Sequence, residues 1–232
     1  HYKLESKDIA NLSETEDKGH VIIDLRKINK GQIALDKMAS LRNQGKGYGC
    51  SDYENLLVLL PHKGYTSKGI NSKSHMQMSI DVTDTITFSA KTDREVNNFN
   101  HKEYEGTKDI RLCDCTISSK GELNLGQCDT RFLYYDSCRG LEAWNVMCLS
   151  VDNFFNEKYD SQEAKNYAIE LSGLISENLS TYQIHYAAIW CYMAFSRPMD
   201  TLYISINDMN NDFSQELLQI AEKCGDIVEI LK

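Results

Sequence analysis

Residues 132 to 149 read Phe-Leu-Tyr-Tyr-Asp-Ser-Cys-Arg-Gly-Leu-Glu-Ala-Trp-Asn-Val-Met-Cys-Leu. A short apolar run leads into a polar turn that contains one glycine, and a second apolar run follows from Asn145 to Leu149. This pattern is typical of two buried strands joined by a turn that carries charged side chains. Because ligands collect at strand ends in open α/β sheets, we treat the turn as a candidate site.

The composition indicates a globular protein with one large α/β domain. The chain has 232 residues, of which 41% are hydrophobic and 25% are charged. These values are ordinary for a soluble protein with a substantial core. No window reaches the roughly 18 uninterrupted apolar residues of a membrane span, and the N-terminus lacks an apolar signal segment. We therefore expect a cytoplasmic protein, and the first residue, His1, suggests a processed or excised chain.

Charge and cysteine usage exclude some classes of function. The formal net charge of −9 argues against a nucleic-acid coat protein held by bulk charge, although a local basic groove remains compatible with it. The eight cysteines are expected to be reduced thiols. The close pair Cys113 and Cys115 lacks the spacing of common zinc sites, and the six histidines are scattered. We expect no metal site.

The first half of the chain contains a βαβ pattern. A β-branched run from His20 to Leu25 predicts a buried strand, and residues 31–44 place apolar side chains on one helical face that Gly45 ends. A second buried strand is predicted from Asn55 to Leu60. Such a unit predicts parallel strands joined by a right-handed connection.

The second half alternates between helical and strand patterns. Helices are predicted from Asp160 to about Asn178, from Tyr182 to Phe195 and from Asp212 to Cys224, and strands at residues 201–206 and 227–231. The middle helix is apolar nearly all round, so we expect it to be buried, with His185 as a hydrogen-bonded core residue. The alternation predicts an α/β sandwich with a mainly parallel central sheet.

The remaining segments are poorly patterned. Residues 1–19 are polar and predict a surface segment, while residues 20–232 predict a single domain. Within that domain residues 62–130 resemble an insertion, where alternating apolar residues between 80 and 88 predict short strands or a hairpin. Residues 93–108 predict a polar loop, and residues 121–127 predict a turn.

Two glycine-rich segments raise the question of a phosphate-binding loop. They lie at residues 45–49 and 63–69, and neither has the spacing G-x-x-x-x-G-K-[ST] that wraps backbone amides around a phosphate. We interpret both as surface turns. The chain also lacks a G-x-S-x-G elbow and an H-E-x-x-H pair, which excludes the common motifs of hydrolases and zinc proteases.

Two polar segments resemble motifs of one family. Residues 137–144, Ser-Cys-Arg-Gly-Leu-Glu-Ala-Trp, resemble motif V of superfamily 1 helicases of the UvrD/Rep type, which has a basic residue, Gly-Leu-Glu and an aromatic residue. Residues 192–204 resemble motif VI, an apolar helix that ends near an arginine and passes into an Asp-x-Leu-x-Ile strand. Both motifs occur in the family order, and the resemblance covers about residues 20–60 and 130–232.

The resemblance implies a RecA-like three-layer sandwich and assigns roles to several residues. Arg197 would be the arginine finger that stabilises charge on the γ-phosphate during hydrolysis. Glu142 would accept hydrogen bonds from the nucleotide sugar, and Gly140 would let the backbone approach the ligand. Arg139 would lie toward the nucleotide or the nucleic-acid backbone. Ser137 would be a phosphate-contacting hydroxyl in the nucleic-acid-binding part of the turn.

The chain also departs from the family pattern. Motif V usually has Thr and His where this sequence has Tyr134 and Asp136, so the nucleic-acid contact assigned to position 136 would here involve a carboxylate. No segment resembles motif IV, and the Walker A and Walker B motifs are missing. The resemblance therefore implies the second RecA-like domain of a longer protein.

The resemblance further implies the cofactors and partners of that longer protein. It would bind ATP and Mg²⁺ between its two RecA-like domains and move on single-stranded DNA or RNA, whereas this chain alone would bind neither cofactor and be inactive. One alternative is a helicase-derived interaction or regulatory module without motor activity. A further alternative is an unrelated α/β enzyme, which is favoured if Arg197 and Glu142 lie far apart in space. The same residues also have a purely structural interpretation, in which Arg139 and Glu142 pair on a surface loop and Arg197 neutralises a helix C-terminus.

Overall fold

The structure is a computed structural model that describes residues 19–26, 31–50, 52–61, 75–80, 86–91, 112–114, 130–173 and 178–232. The strands, in chain order, are β1 (His20–Asp24), β2 (Leu56–Leu60), β3 (His75–Ile80), β4 (Ile86–Lys91), β5 (Leu112–Asp114), β6 (Thr130–Tyr134), β7 (Ala143–Cys148), β8 (Pro198–Ser205) and β9 (Val228–Leu231). The helices are α1 (Gly31–Gly47), α2 (Asp52–Asn55), α3 (Val151–Tyr159), α4 (Gln162–Ser172), α5 (Leu179–Phe195) and α6 (Asp212–Cys224).

A seven-stranded sheet forms the centre of the molecule, in the order β5-β6-β2-β7-β8-β1-β9. All of its described strand pairs are parallel. The inner strand β2 is buried along its whole length, which explains its uninterrupted apolar sequence, because a strand covered on both faces has no polar side. The predicted α/β sandwich with a mainly parallel sheet is confirmed.

Helices cover both faces of this sheet. Val146 and Leu202 of the central strands point to the face covered by α3, α5 and α6, where the main apolar core lies. The neighbouring residues Asn145 and Tyr203 point to the other face, where they contact α1. The chain leaves β1 through α1 and reaches β2 on the far side of β8 and β7, so the predicted βαβ unit spans four strand positions.

Several predicted boundaries differ from the structure. The helix expected to end at Gly45 continues to Gly47. Helix α3 was not predicted, and α4 begins after Ser161, whose hydroxyl caps the amide of Ala164 at 3.1 Å, rather than after Asp160. Of the short strands or hairpin predicted between residues 80 and 88, the described part belongs to the antiparallel pair of β3 and β4, which extends from His75 to Lys91, while β5 joins the edge of the main sheet. The loop and turn predicted at residues 93–108 and 121–127 lie outside the described residues.

Helix α5 corrects the prediction of a fully buried helix. One side, with Ala187, Cys191 and Ala194, packs into the core, but Ile189 and Tyr192 on the other side are 49% and 71% exposed. The expectation that His185 is a core residue is wrong, because its side chain is exposed. Apolar residues on all sides of this helix gave no indication of which side would face the sheet. In the described part of the chain, no helix has the length and apolar character needed to cross a membrane.

Candidate functional site

The turn between β6 and β7 runs from the carboxyl end of β6 to the amino end of β7. It begins with a 3-10 turn at Tyr135–Ser137. The Tyr135 ring is buried and stacks on Phe154 with 4.1 Å between centroids, and its hydroxyl donates to the carbonyl of Leu149 at 2.8 Å. These contacts fix the start of the turn to the core beneath α3.

The backbones of Glu142 and Arg197 lie close together at the amino ends of two neighbouring strands. The amide of Ala143 donates to the carbonyl of Arg197 at 3.2 Å, and Ala143 pairs with Pro198 in the register of β7 and β8. The two candidate residues therefore lie side by side along the backbone. Their position corrects the strand-end argument, since open α/β sheets bind ligands at carboxyl ends and these residues lie at amino ends.

The Arg197 side chain turns back onto helix α5. Its Nε donates to the carbonyl of Met193 at 2.7 Å, and its Nη2 donates to the Ser196 hydroxyl at 2.9 Å. The last carbonyls of a helix lack partners within the helix and carry partial negative charge, which the guanidinium complements. This is the helix-terminus interaction that the alternative interpretation of Arg197 predicts.

Arg139 packs on an aromatic ring. Its guanidinium lies 4.5 Å from the centroid of the Trp190 ring on α5, and the ammonium of Lys158 on α3 lies 4.2 Å from the same ring. Lys158 also forms an ion pair with Asp136. Stacking on an aromatic face holds a guanidinium in place without consuming its hydrogen-bond donors. Arg139 is thus oriented by Trp190, and the structure contains no Arg139–Glu142 ion pair among the residues it describes.

Gly140 has a backbone conformation that requires glycine. Its φ is +75°, in the left-handed region, while a Cβ added there would meet no atom within 4 Å. The requirement comes from the backbone angle, since the surroundings are open. Ser137, Arg139, Gly140 and Glu142 are all exposed, so this part of the turn is accessible to a ligand.

Arg131 is a buried residue of the site that the sequence did not reveal. Its Nη2 donates to the backbone carbonyl of Glu142 at 2.6 Å, which ties the end of the turn to β6. The residue stands in an apolar run, and no motif distinguishes it. Cys138 is buried under the same turn, where burial raises the pKa of its thiol although the charge of Arg197 opposes the change. It is therefore a protonated thiol at neutral pH.

The arrangement provides an exposed carboxylate and two guanidiniums on one turn and one helix end. Such groups suit sugar hydroxyls and phosphate oxygens respectively. Among the residues that the structure describes, no group of three or more His, Cys, Asp or Glu side chains is arranged to hold a metal ion.

Comparisons with protein-family models, curated proteins and solved structures find no match for this chain.

Proposed function

We propose that this chain is the second motor domain of a superfamily 1 DNA or RNA helicase. The observation that carries the proposal is the proximity of its two motif-like segments, since Ala143 N donates to Arg197 O at 3.2 Å. Residues 142 and 197 are far apart in the sequence and come from the two segments that resemble motifs V and VI. A nucleotide pocket formed by both segments requires them to lie close together in this way.

In this proposal the residues of the chain form one wall of the pocket. Glu142 is exposed and accepts the sugar hydroxyls, and Gly140 keeps the turn open beside the ligand. To reach a phosphate, the Arg197 guanidinium leaves the Met193 carbonyl and the Ser196 hydroxyl. It then stabilises the charge that develops on the transferred phosphoryl group. Bound Mg²⁺ would neutralise the phosphates, and its ligands would come from the first domain.

The experiment is single-strand-stimulated ATP hydrolysis by the longer protein, with Arg197→Ala. Loss of an arginine finger lowers turnover by roughly 10³-fold or more. Arg197→Lys keeps the charge but not the planar fork, so it restores only a small part of the rate. Lys165→Ala, on an exposed position of α4, is the matched control and retains the wild-type rate. An unchanged rate in Arg197→Ala would overturn the proposal.

The engaged state of Arg197 favours a second candidate function, a helicase-derived interaction or regulatory module. The Arg197 guanidinium has partners on α5, and Asp136 is paired with Lys158 instead of being available to a nucleic-acid strand. The sequence that precedes this domain in the longer protein discriminates between the two. Intact Walker A and Walker B motifs favour the motor, and their decay favours the module.

A further inference from the structure

A second polar cluster lies at the carboxyl ends of β1 and β8. Glu142 and Arg197 lie at the other side of the sheet, at the amino ends of its strands. Asp24 is the last residue of β1, and its side chain is fully buried. The hydroxyl of the buried Tyr203 donates to Asp24 Oδ2 at 2.5 Å. A buried carboxylate is costly unless several donors satisfy it, so a cluster of this kind needs an explanation.

The same carboxylate orients Arg26. The Nε and Nη2 atoms of Arg26 donate to Asp24 Oδ1 and Oδ2 at 3.0 and 2.6 Å, and its backbone amide donates to Oδ1 at 2.9 Å. The Arg26 side chain is 39% exposed, although its partner is fully buried. A guanidinium has five N–H donors in a rigid plane, so the fork held by Asp24 retains donors for a second acceptor.

A second cation reaches the cluster from helix α1. The ammonium of Lys37 lies 5.4 Å from the centroid of the Tyr203 ring, and Tyr203 is bonded to Asp24. Tyr203 therefore lies next to the Lys37 cation and, through Asp24, is linked to the Arg26 cation.

The cluster also lies at the point where the connections of the sheet diverge. From β1 the chain continues into α1 on one face, and from the neighbouring β8 it continues into α6 on the other face. The amide of Ile206 donates to the carbonyl of Asp24 at 3.0 Å, so the two exits start side by side. In open α/β sheets a crevice opens between such strands at their carboxyl ends, and ligands bind in it.

We propose that this crevice binds a phosphoryl group, with Arg26 as the hydrogen-bonding residue and Lys37 as the second cation. The Arg26 fork is already held by Asp24, so binding costs little side-chain entropy. The geometry of a guanidinium edge matches two oxygens of one phosphate. The site is separate from the pocket at Glu142 and Arg197, and it can exist whether or not the chain is a motor domain.

The experiment is a titration of this chain with inorganic phosphate and, separately, with AMP, followed by amide chemical shifts in NMR spectra. Arg26→Gln keeps an amide that can donate to Asp24 but removes the charge. Lys37→Gln removes the second cation and leaves the Asp24 contacts untouched, so it decides the outcome if Arg26→Gln fails to fold. Lys165→Gln, at an exposed position of α4 outside both sites, is the matched control.

Saturable shifts around residues 24–26 and 203–206 are expected, with the dissociation constant at least about tenfold larger in Arg26→Gln, because a charge-assisted hydrogen bond is lost. Lys37→Gln weakens binding in the same direction, and Lys165→Gln binds as the wild type does. Tighter binding of AMP than of phosphate identifies a phosphate ester as the ligand, and equal binding identifies the free anion. The absence of saturable shifts would overturn the proposal. Binding of Arg26→Gln and Lys37→Gln with the same affinity as the wild type would overturn it as well.

Discussion

Gly45 is a residue whose role comes from packing against a neighbouring side chain. It lies inside α1, where a Cβ would stand 2.7 Å from Cγ of Asn55. Asn55 is buried and cannot move away freely, because its Nδ2 donates to the carbonyl of Arg42 at 2.7 Å. The helix therefore continues through Gly45, because this glycine makes room for the Asn55 side chain and does not mark a helix end.

The substitution Gly45→Ala is therefore expected to lower the free energy of unfolding by about 1–3 kcal/mol, the usual cost of overpacking. Gly47→Ala is the matched control in the same helix, because a Cβ there meets no atom within 4 Å. That variant should be neutral or gain up to about 1 kcal/mol from helix propensity. Urea unfolding of the two variants measures both effects, and equal stabilities would contradict the packing argument.

Among the elements, α5 separates a core side from a solvent side. Ala187 is fully buried, whereas Ile189, two positions further along, is about half exposed. Ile189→Lys is expected to change the free energy of unfolding by no more than about 0.5 kcal/mol, as surface substitutions do. Ala187→Lys places an unpaired charge in the core and should prevent folding. Circular dichroism and thermal unfolding compare them, and a folded, stable Ala187→Lys would contradict the assigned orientation.

Sequence patterns predicted most elements of this fold, and the failures have physical causes. Continuous apolar runs identified β1 and β2 because both strands are covered on two faces. The orientation of α5 was not predictable, since its sequence is apolar on the exposed side as well. Helix α3 was missed because it follows β7 closely and continues that strand's apolar composition through Phe154 and Phe155.

The candidate site was predictable only in part. Motif-like residues located the turn and Arg197, and the pairing of β7 with β8 brings the two segments together. The contacts that orient the turn come from Arg131 and Trp190, which stand in apolar segments without any motif. The cluster at Asp24 was missed since its partner Tyr203 is distant in sequence, and only the strand order reveals the contact.

At the scale of the whole molecule, the Asp24–Tyr203 contact links the first strand to one of the last. Burial raises the pKa of the Asp24 carboxyl, but hydrogen bonds from Arg26 and Tyr203 lower it by more, so that the pKa lies below its usual value. A carboxyl group with a depressed pKa stabilises the fold at neutral pH. That contribution is lost as the pH falls through the folded-state pKa.

Stability is therefore expected to decrease on acidification below about pH 4, the ordinary range of an aspartate. Asp24→Asn should be less stable than the wild type at pH 7. It should also lose less stability on acidification, because an asparagine at residue 24 takes up no proton. Tyr203→Phe should lower stability at pH 7 by about 1.5–3 kcal/mol, the value of a hydrogen bond to a charged group. Urea unfolding between about pH 7 and about pH 3 measures these slopes. Parallel pH profiles for wild type and Asp24→Asn would contradict the role of Asp24.

The claim that the Glu142–Arg197 region is half of an ATP pocket is tested most directly by a transition-state analogue. The longer protein is titrated with ADP and with ADP–aluminium fluoride, in the wild type and in Arg197→Ala. An arginine that acts on the transferred phosphoryl group contributes to binding of the analogue much more than to binding of ADP. We expect Arg197→Ala to weaken binding of ADP–aluminium fluoride by about 100-fold or more while the affinity for ADP stays within about threefold. Equal affinities of wild type and variant for the analogue would contradict the account.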